Sequence, residues 1–298
     1  MKILRSLLFV PTTKPNFYES AARSKADAII LDLEDSVSAT EKDKARSMLA
    51  KAITLLAESG AELLVRINND PIHLDADLEA CVIPGLSMVM IPKVESATEV
   101  TEIAAKLDRL EREKRIALGV VGLEIDFETA KGVVRASEIV SASKRIISVG
   151  FGAGDYCRDI DIIPSAEGHE LLYAFSRIIT VAKAAGVQPK GLLGTLFNVS
   201  DLDGFEQMAI RSRRLGSTGS PCIHPKQVSV LNCVFSPSPE TKDWAQRVVA
   251  AFEERSAQGE AAFRLDGQMV DYASYRKALD VVGMVKAIEE KEQKEHLG

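Results

Sequence analysis

Short apolar runs alternate along the chain with longer segments that have the spacing of amphipathic helices. Eight short apolar runs can be marked: LLFVP, AIILDLED, LLVRIN, MVMIPKV, ALGVVGLEI, IISVGFG, GLLGTLF and PCIHP. Runs of this kind, bounded by turn residues and separated by helices, are typical of buried parallel strands. The pattern therefore predicts eight βα units.

The segments between the runs carry the start and stop signals of helices. Ser38 and Glu41 have the spacing of a capping box, and the helix that follows is predicted to end at Gly60. The same spacing recurs at Ser96 and Glu99. Each helix is expected to cross from one strand to the next.

Eight βα units fit a (β/α)8 TIM barrel, an α/β fold whose usual size is about 250 residues. An open doubly wound sheet with about six strands is the alternative. We expect residues 1–235 to form the barrel. After Pro237 and Pro239 the pattern changes to helices, so residues 236–298 are predicted to be a C-terminal helical extension that packs on a neighbouring subunit.

Composition narrows the class of protein. The 298 residues are 46% hydrophobic and carry a net charge of −6, which argues against a nucleic-acid partner. No apolar window reaches the length of a membrane helix, and the first residues do not resemble a signal peptide, so we expect a cytoplasmic protein. The four cysteines are far apart and do not indicate a zinc site or a disulfide framework.

Polar residues follow most of the eight runs, where a barrel places its catalytic groups. The set comprises Asp32, Glu34, Asp35, Arg66, Asn68, Lys93, Glu95, Glu124, Asp126, Glu128, Asp155 and His224. Many carboxylates with few histidines favour a hard divalent cation, Mg²⁺ or Mn²⁺, over zinc.

Three of these residues have competing interpretations. Asp155 in GFGAGDY could belong to a phosphate-binding glycine loop, could cap a helix or could be an acid brought close to a cation, although the spacing lacks the dinucleotide-binding pattern. Arg66 lies in an apolar run and needs an anionic partner, which is either a structural acid or a substrate carboxylate. His224 could be a packed histidine beside Pro225.

At this point the chain resembles the citrate lyase β-subunit-like proteins of the HpcH/HpaI aldolase/citrate lyase superfamily. The resemblance is carried by RSLLFVPTTKP, ADAIILDLEDSV, VRIN, IPKVES, ETAKGVV, FGAGDY, CIHPKQ and LDGQMVD, in this order along nearly the whole chain. SAEGHELLYA further resembles a segment of citrate lyase β subunits.

The resemblance implies a role for each matching residue. Glu128 and Asp155 match the two metal carboxylates, with Glu124 as the alternative to Glu128, and Arg66 matches the arginine that holds the oxo-acid. Glu34 and Asp35 match an acidic pair that supports the metal's water ligands. Asp271 matches an aspartate that serves as acid/base from an adjacent subunit, which implies an oligomer such as a homotrimer or hexamer.

We further expect Lys14, Gly154 and His224 to contact the substrate beside Arg66. The implied activity is the Mg²⁺-dependent cleavage of a 3-hydroxyacyl-CoA, of the malyl, citramalyl or citryl type, into an oxo-acid and acetyl-CoA. Two alternatives stay open. The chain could be the β subunit of a citrate lyase that acts with an α subunit and an acyl carrier, or a barrel that binds an oxo-acid without catalysis.

Overall fold

The strands of the barrel form one all-parallel sheet in the computed structural model, which describes residues 2–195 and 198–297. The strands are β1 (Ser6–Pro11), β2 (Ala28–Asp32), β3 (Glu62–Arg66), β4 (Met88–Ile91), β5 (Gly122–Phe127), β6 (Ile146–Phe151), β7 (Gln188–Gly191) and β8 (Ser220–Cys222). Their order in the sheet is β7-β6-β5-β4-β3-β2-β1-β8. Each strand from β1 to β7 therefore lies beside its neighbour in sequence.

The two ends of the sheet, β7 and β8, meet and nearly close the barrel. The N–H of Gly191 donates to the carbonyl of Gly219 at 2.9 Å, and the N–H of Thr218 donates to the carbonyl of Pro189 at 2.9 Å. These bonds span the seam, where no regular ladder forms within the described residues. The predicted (β/α)8 barrel is confirmed and the open-sheet alternative is wrong.

Helices connect the strands on the outside of the sheet. They are α1 (Tyr18–Arg23), α2 (Lys42–Leu56), α3 (Leu74–Cys81), α4 (Ala97–Glu113), α5 (Ala130–Val134), α6 (Ala136–Val140), α7 (Ala153–Asp159), α8 (Leu172–Ala185), α9 (Leu202–Leu215) and α10 (Pro225–Val234). The Ser96 hydroxyl accepts the N–H of Glu99 at 3.3 Å, which confirms the predicted cap of α4. The expected cap at Ser38 is wrong, because a 3₁₀ turn over Ala39–Glu41 precedes α2 and the Ser38 side chain makes no capping bond.

The seventh strand differs from the sequence prediction. The apolar run GLLGTLF was expected to form it, but the strand covers Gln188–Gly191, the segment QPKG. Proline in a strand lacks an N–H and lysine is rarely buried, so neither favours a strand in the sequence. Leu192 and Leu193 are buried just after β7, and the end of the predicted run, residues 196–197, lies outside the described residues.

The inside of the barrel is divided between an apolar and a polar half. Side chains of β1 to β4, among them Leu7, Ile30 and Met88, pack together in the interior. The inward positions of β5, β6 and β7 instead carry Glu124, Asp126, Ser148 and Lys190, all of which are buried. A larger apolar layer fills the space between the sheet and the helices.

Residues from Ser236 onward form a second compact unit together with Lys2 and Ile3, while Leu4–Phe235 form the first. The second unit contains α11 (Pro239–Ala257), a hairpin of β9 (Phe263–Leu265) and β10 (Gln268–Val270), and α12 (Tyr272–Leu297). The hairpin replaces the simple turn expected at RLDGQMVD. The helices and the hairpin share a small core that includes Val248, Phe252 and Val270.

In the described ranges 2–195 and 198–297, no helix is both long enough and apolar enough to cross a membrane.

A buried ion pair lies at the amino ends of strands β1 and β2, and its loss should destabilise the protein. Asp27 accepts the main-chain N–H of Arg5 at 2.7 Å and its Nε at 2.8 Å, and both residues are buried. Asp27→Ala leaves a buried guanidinium without this partner, so we expect the free energy of unfolding to fall by about 3–5 kcal/mol. Urea unfolding measures this loss. Asp43→Ala, which removes an exposed partner of Arg46, is the control and should cost less than about 1 kcal/mol; equal losses would contradict the prediction.

Glu124 should make the stability of the barrel fall as pH rises. Neither of its carboxylate oxygens has a hydrogen-bond partner in the described parts of the chain. Burial raises the pKa of Glu124 to about 8, against the attraction of Lys190. The unfolded chain releases this proton near its ordinary pKa of 4.5, so stability is lost as pH rises from there through about 8.

Glu124→Gln removes this ionisable group while keeping its shape. We expect the variant to match the natural protein near pH 5 and to exceed its free energy of unfolding at pH 9 by roughly 4–5 kcal/mol. Urea unfolding at a series of pH values checks this, with the exposed Glu138→Gln as the control. Parallel pH profiles for the natural protein and Glu124→Gln would show that the prediction is wrong.

Candidate active site

A cavity of about 480 Å³ opens at the carboxyl ends of the strands. Its charged lining residues are Asp35, Arg66, Asp126, Glu128, Asp155 and Arg158. Small or apolar residues, including Phe9, Gly152, Gly194 and Pro221, complete the wall. The cavity therefore gathers side chains that are far apart in the sequence and that come from the ends of different strands.

Arg66 is held at the end of β3 by Asp32 at the end of the neighbouring strand β2. Nε of Arg66 donates to Oδ1 of Asp32 at 2.7 Å, and Nη2 donates to Oδ2 at 2.8 Å. The ring of Phe9 lies 4.6 Å from the guanidinium carbon. This two-point pairing fixes the plane of the guanidinium while Arg66 still lines the cavity.

The electrostatics of this pair keep both groups charged. Burial opposes ionisation of Asp32, but Arg66 and nearby N–H groups outweigh it and lower the pKa of Asp32. Burial likewise opposes the charge of Arg66, and Asp32 raises the pKa of the guanidinium. Of the two anionic partners predicted for Arg66, the structural acid is present in the fold.

The loop after β2 brings Glu34 and Asp35 to the same region. Nη1 of Arg66 lies 3.0 Å from Oε2 of Glu34 and 3.7 Å from Oδ2 of Asp35. Burial raises the pKa of Glu34, although Arg66 and Lys93 oppose this effect. Glu34 is largely buried, whereas the Asp35 side chain is 56% exposed.

The backbone of this loop is held by a buried lysine that the sequence did not single out. Nζ of Lys42 donates to the carbonyls of Leu33 and Glu34, both at 2.7 Å, and to Oδ1 of Asn68 at 2.8 Å. Asn68 also donates to Oδ2 of Asp77. Asn68 thus supports the loop and is absent from the cavity wall, although its strand-end position made it a candidate site residue.

Glu124 and Asp126 of β5, and Glu128 directly after it, occupy alternate positions and are all buried. Asp126 and Glu128 line the cavity, whereas Glu124 lies deeper and does not. Burial, then Glu124, raises the pKa of Asp126 to about 8. Burial, then Asp126 and Asp155, raises the pKa of Glu128 well above its ordinary value.

Gly152 is required beside Glu128 because the carboxylate occupies the space that a side chain would need. A Cβ at position 152 would lie 2.4 Å from Oε1 of Glu128. The peptide N–H of Lys93 donates to the other oxygen, Oε2, at 3.1 Å. The glycine at this position therefore lets the chain after β6 come close to Glu128.

Asp155 lies in the first turn of α7, next to Glu128. Its Oδ1 is 2.5 Å from Nη2 of Arg158, and its Oδ2 is 3.9 Å from Nζ of Lys93. Gly154 precedes it and also lines the cavity. Asp155 and Glu128 thus share one wall, contributed by two neighbouring strand ends.

The two carboxylates fit a hard divalent cation. Burial and the repulsion from Asp126, Asp155 and Glu34 raise the pKa of Glu128, and a cation would balance that repulsion. Mg²⁺ is commonly bound through one or two carboxylates, with water and substrate as the other ligands. Within the described ranges, no three His, Cys, Asp or Glu side chains are grouped to hold a metal by themselves. Glu124 is separated from Asp155 by depth in the barrel, which favours Glu128 as the ligand.

Lys93 and Arg158 are the cations of this site to which the sequence gave no role. Lys93 was noted only as a polar strand end, and its ammonium contacts Oε1 of Glu34. Arg158 follows Asp155 by three residues, which is one helical turn. That spacing is the sequence feature that could have identified Arg158 as a site residue. For Lys93, the feature is its place in IPKVES, one of the segments that carry the family resemblance.

Two residues expected to bind substrate lie elsewhere. Lys14 is exposed, precedes a 3₁₀ turn over Pro15–Phe17 and is absent from the cavity lining. Nδ1 of His224 accepts the N–H of Lys226 at 3.1 Å, so His224 caps α10 and lines a separate apolar cavity of about 380 Å³. A packed role for His224, the alternative interpretation, describes its position in the structure.

Asp271 belongs to the second compact unit. Its Oδ1 accepts the N–H and the hydroxyl of Ser274, both at 2.9 Å, which caps the start of α12. The bond from the Ser274 N–H lowers the pKa of Asp271. The carboxylate is exposed, so it is available to another molecule. Its expected place in a neighbouring subunit's site stays a prediction.

Comparison with known proteins connects this geometry to a family. Residues 5–225 match the family model described as HpcH/HpaI aldolase/citrate lyase. The chain is 34% identical over 288 residues to the citrate lyase subunit beta of Leuconostoc mesenteroides subsp. cremoris, covering 96% of this chain and 94% of the relative. It is 32% identical over 306 residues to the L-malyl-CoA/beta-methylmalyl-CoA lyase of Rhodobacter capsulatus, covering 94% of each.

A solved structure extends the similarity to three dimensions. The protein CitE from Mycobacterium tuberculosis, in complex with magnesium, acetoacetate and coenzyme A, superposes with a TM-score of 0.70 at 29% identity. The alignment covers 93% of this chain and 97% of that one. The family match spans most of the barrel, including Arg66, Glu128 and Asp155. The chain therefore belongs to the HpcH/HpaI aldolase/citrate lyase family, and with it to the carbon–carbon lyases.

Proposed function

We propose that this protein is a Mg²⁺-dependent lyase that cleaves a 3-hydroxyacyl-CoA bearing a carboxylate, of the malyl, citramalyl or citryl type. The products would be an oxo-acid and acetyl-CoA. The observation that carries the proposal is the convergence of Glu128, Asp155 and Arg66 on one cavity. Relatives named as malyl-CoA lyases and citrate lyase β subunits support the same reaction class.

Glu128 and Asp155 are the residues that would hold the cation. Both supply the hard oxygen ligands that Mg²⁺ prefers, and Mn²⁺ takes similar ligands. When bound, the cation would act as a Lewis acid that lowers the pKa of the substrate hydroxyl and stabilises negative charge on the emerging keto oxygen. The relative from Mycobacterium tuberculosis was crystallised with magnesium, which supports this choice of metal.

Arg66 would hold the carboxylate of the oxo-acid portion. The Arg66 guanidinium donates two parallel hydrogen bonds to Asp32, so it is oriented before the substrate arrives. A guanidinium that is already in place needs little reorganisation during the reaction, and such preorganised charge is usually the largest single contribution to catalysis. Glu34 and Asp35, which lie beside Arg66, would orient the water ligands of the cation.

In the cleavage step, Asp271 of a neighbouring subunit would accept the proton of the substrate hydroxyl as the electrons of the C–C bond pass to the thioester portion. The protonated Asp271 would then return that proton to the carbon of the acetyl-thioester enolate. Lys14, Gly154 and His224 are proposed to contact the rest of the substrate. Gly154 lines the cavity, whereas Lys14 and His224 would have to meet a ligand that extends beyond it.

A second candidate function is the β subunit of a citrate lyase, acting on a citryl group carried by an acyl carrier protein with an α subunit as partner. The identities to citrate lyase β subunits, 34–36%, are above the 32% to malyl-CoA lyases. The two candidates share the same cavity chemistry. They differ in whether the free CoA thioester is a substrate.

Free thioesters distinguish these candidates. We expect oxo-acid release when the protein is incubated with malyl-, citramalyl- or citryl-CoA and Mg²⁺, measured by trapping the product as a hydrazone. No release from any CoA ester, together with release from a carrier-bound citryl group, would favour the citrate lyase subunit. If the protein binds oxo-acids but turns over neither kind of thioester, both candidate functions are excluded.

Asp155→Ala should remove both metal binding and turnover. One of two carboxylate ligands is lost, so we expect no measurable heat of Mg²⁺ binding in calorimetry and a decrease in kcat/KM of at least ~10²-fold. Asp159→Ala is the matched control. It lies on the same helix, and its carboxylate accepts the N–H of Ala130 outside the cavity lining. Activity that persists in Asp155→Ala, or in the natural protein with excess EDTA, would refute the metal's role.

Asp271 can be tested by mixing two inactive variants. If Asp271 acts in a neighbouring subunit, Asp271→Ala and Asp155→Ala oligomers are each inactive for different reasons. After dissociation and reassembly together, some sites combine an intact Asp155 with an intact Asp271, so activity should return to roughly a quarter of the natural level in a random mixture. No recovery in mixtures shown to contain both chains would place Asp271 in its own subunit's site or outside the chemistry.

A further inference from the structure

Lys93 has an unusual backbone for a residue with a side chain. It follows β4 after Pro92 and has a φ of +53°, in the left-handed region. Residues other than glycine occupy this region at a cost, and such strain is found where the surrounding structure fixes it. Here the N–H of Lys93 donates to Oε2 of Glu128 at 3.1 Å, so the strained turn positions one of the two proposed metal carboxylates.

The side chain of the same residue reaches the other acids of the site. The ammonium contacts Oε1 of Glu34 and lies 3.8 Å from Oδ2 of Asp35 and 3.9 Å from Oδ2 of Asp155. It is 30% exposed. Lys93 is therefore connected to both proposed metal carboxylates, to Glu128 through its peptide and to Asp155 through its charge.

The other two cationic side chains near the site, those of Arg66 and Arg158, differ from Lys93 in their partners and exposure. Arg66 is paired with Asp32 through two hydrogen bonds. Arg158 contacts Asp155, but its side chain is 74% exposed and its charge is strongly screened by water. Lys93 combines partial burial with three carboxylates within 4 Å.

We propose that Lys93 is a positioning residue that sets the affinity of the site for the divalent cation. Its ammonium balances Glu34, Asp35 and Asp155 when the cation is absent, and it repels the cation when the cation is present. The site therefore binds Mg²⁺ more weakly than its carboxylates alone would, which allows the ion to exchange. The inference rests on the proposed assignment of Glu128 and Asp155 as metal carboxylates.

The test is Mg²⁺ titration calorimetry on the full chain without substrate. Lys93→Met keeps the length and removes the charge, so we expect the Kd for Mg²⁺ to fall by roughly tenfold or more. Arg158→Met removes one charge beside the same carboxylate at a more exposed position and should change Kd by less than about threefold. Lys93→Arg retains the charge and should restore a Kd close to that of the natural protein.

Thermal unfolding gives an independent readout of the same effect. Without Mg²⁺, Lys93→Met leaves the acids uncompensated and should melt below the natural protein. With saturating Mg²⁺, it should gain more in melting temperature than the natural protein does, because tighter binding to the folded state stabilises it more. If Lys93→Met does not fold, Lys93→Gln, which can still donate to Glu34, carries the same expectation.

The outcomes separate this inference from the proposed function. If the natural protein binds no Mg²⁺ and Asp155→Ala is indistinguishable from it, the metal assignment itself fails. If the natural protein binds Mg²⁺ and Asp155→Ala does not, the metal assignment stands. In that case, an unchanged or weaker Mg²⁺ affinity in the folded neutral variants of Lys93 would overturn the role proposed for Lys93.

Discussion

The repulsion among carboxylates that are gathered in a poorly hydrated place is the constraint on which the site depends. Glu34, Asp126, Glu128 and Asp155 lie near one another at the carboxyl end of the barrel, and burial makes the negative charges of Glu34, Asp126 and Glu128 costly. Arg66 and Lys93 balance part of that charge within the chain itself. The negative charge that they leave unbalanced is the charge that the proposed metal ion would neutralise.

The division of the barrel interior follows from the same constraint. Strands β1 to β4 fill their inner side with leucine, isoleucine and methionine, which provides a rigid wall. The opposite strands, β5 to β7, carry Glu124, Asp126 and Lys190 inside. The charged residues of the site are thus followed by further charged residues deeper in the barrel interior. Because buried ionisable groups rarely stabilise a fold, these residues indicate that part of the interior serves the site or its electrostatics.

The sequence predicted the barrel, most of its strands and the acids at their ends, because each of those features is local. Period and composition identify a buried strand, and a strand end identifies a cavity position. The errors concern residues whose role depends on distant partners. The strand QPKG pairs with β6 and buries Lys190, whose ammonium donates to the carbonyl of Leu4 and the hydroxyl of Thr218. No pattern near position 190 shows these two distant partners. Lys42 and Lys93 have the same character, since their partners come from other strand ends.

The pairing of β1 with β8 has a consequence for biosynthesis. Strand β1 pairs with β8, and Lys190 binds the carbonyl of Leu4 across 186 positions of sequence. A ribosome releases the N-terminal strand long before it makes Ser220, so one edge of β1 has no partner through most of translation. Closing so long a loop is slow, and an unpaired edge can recruit another chain. We therefore expect the free edge of β1 in a nascent chain to need protection from association with other chains until strand β8 has emerged from the ribosome.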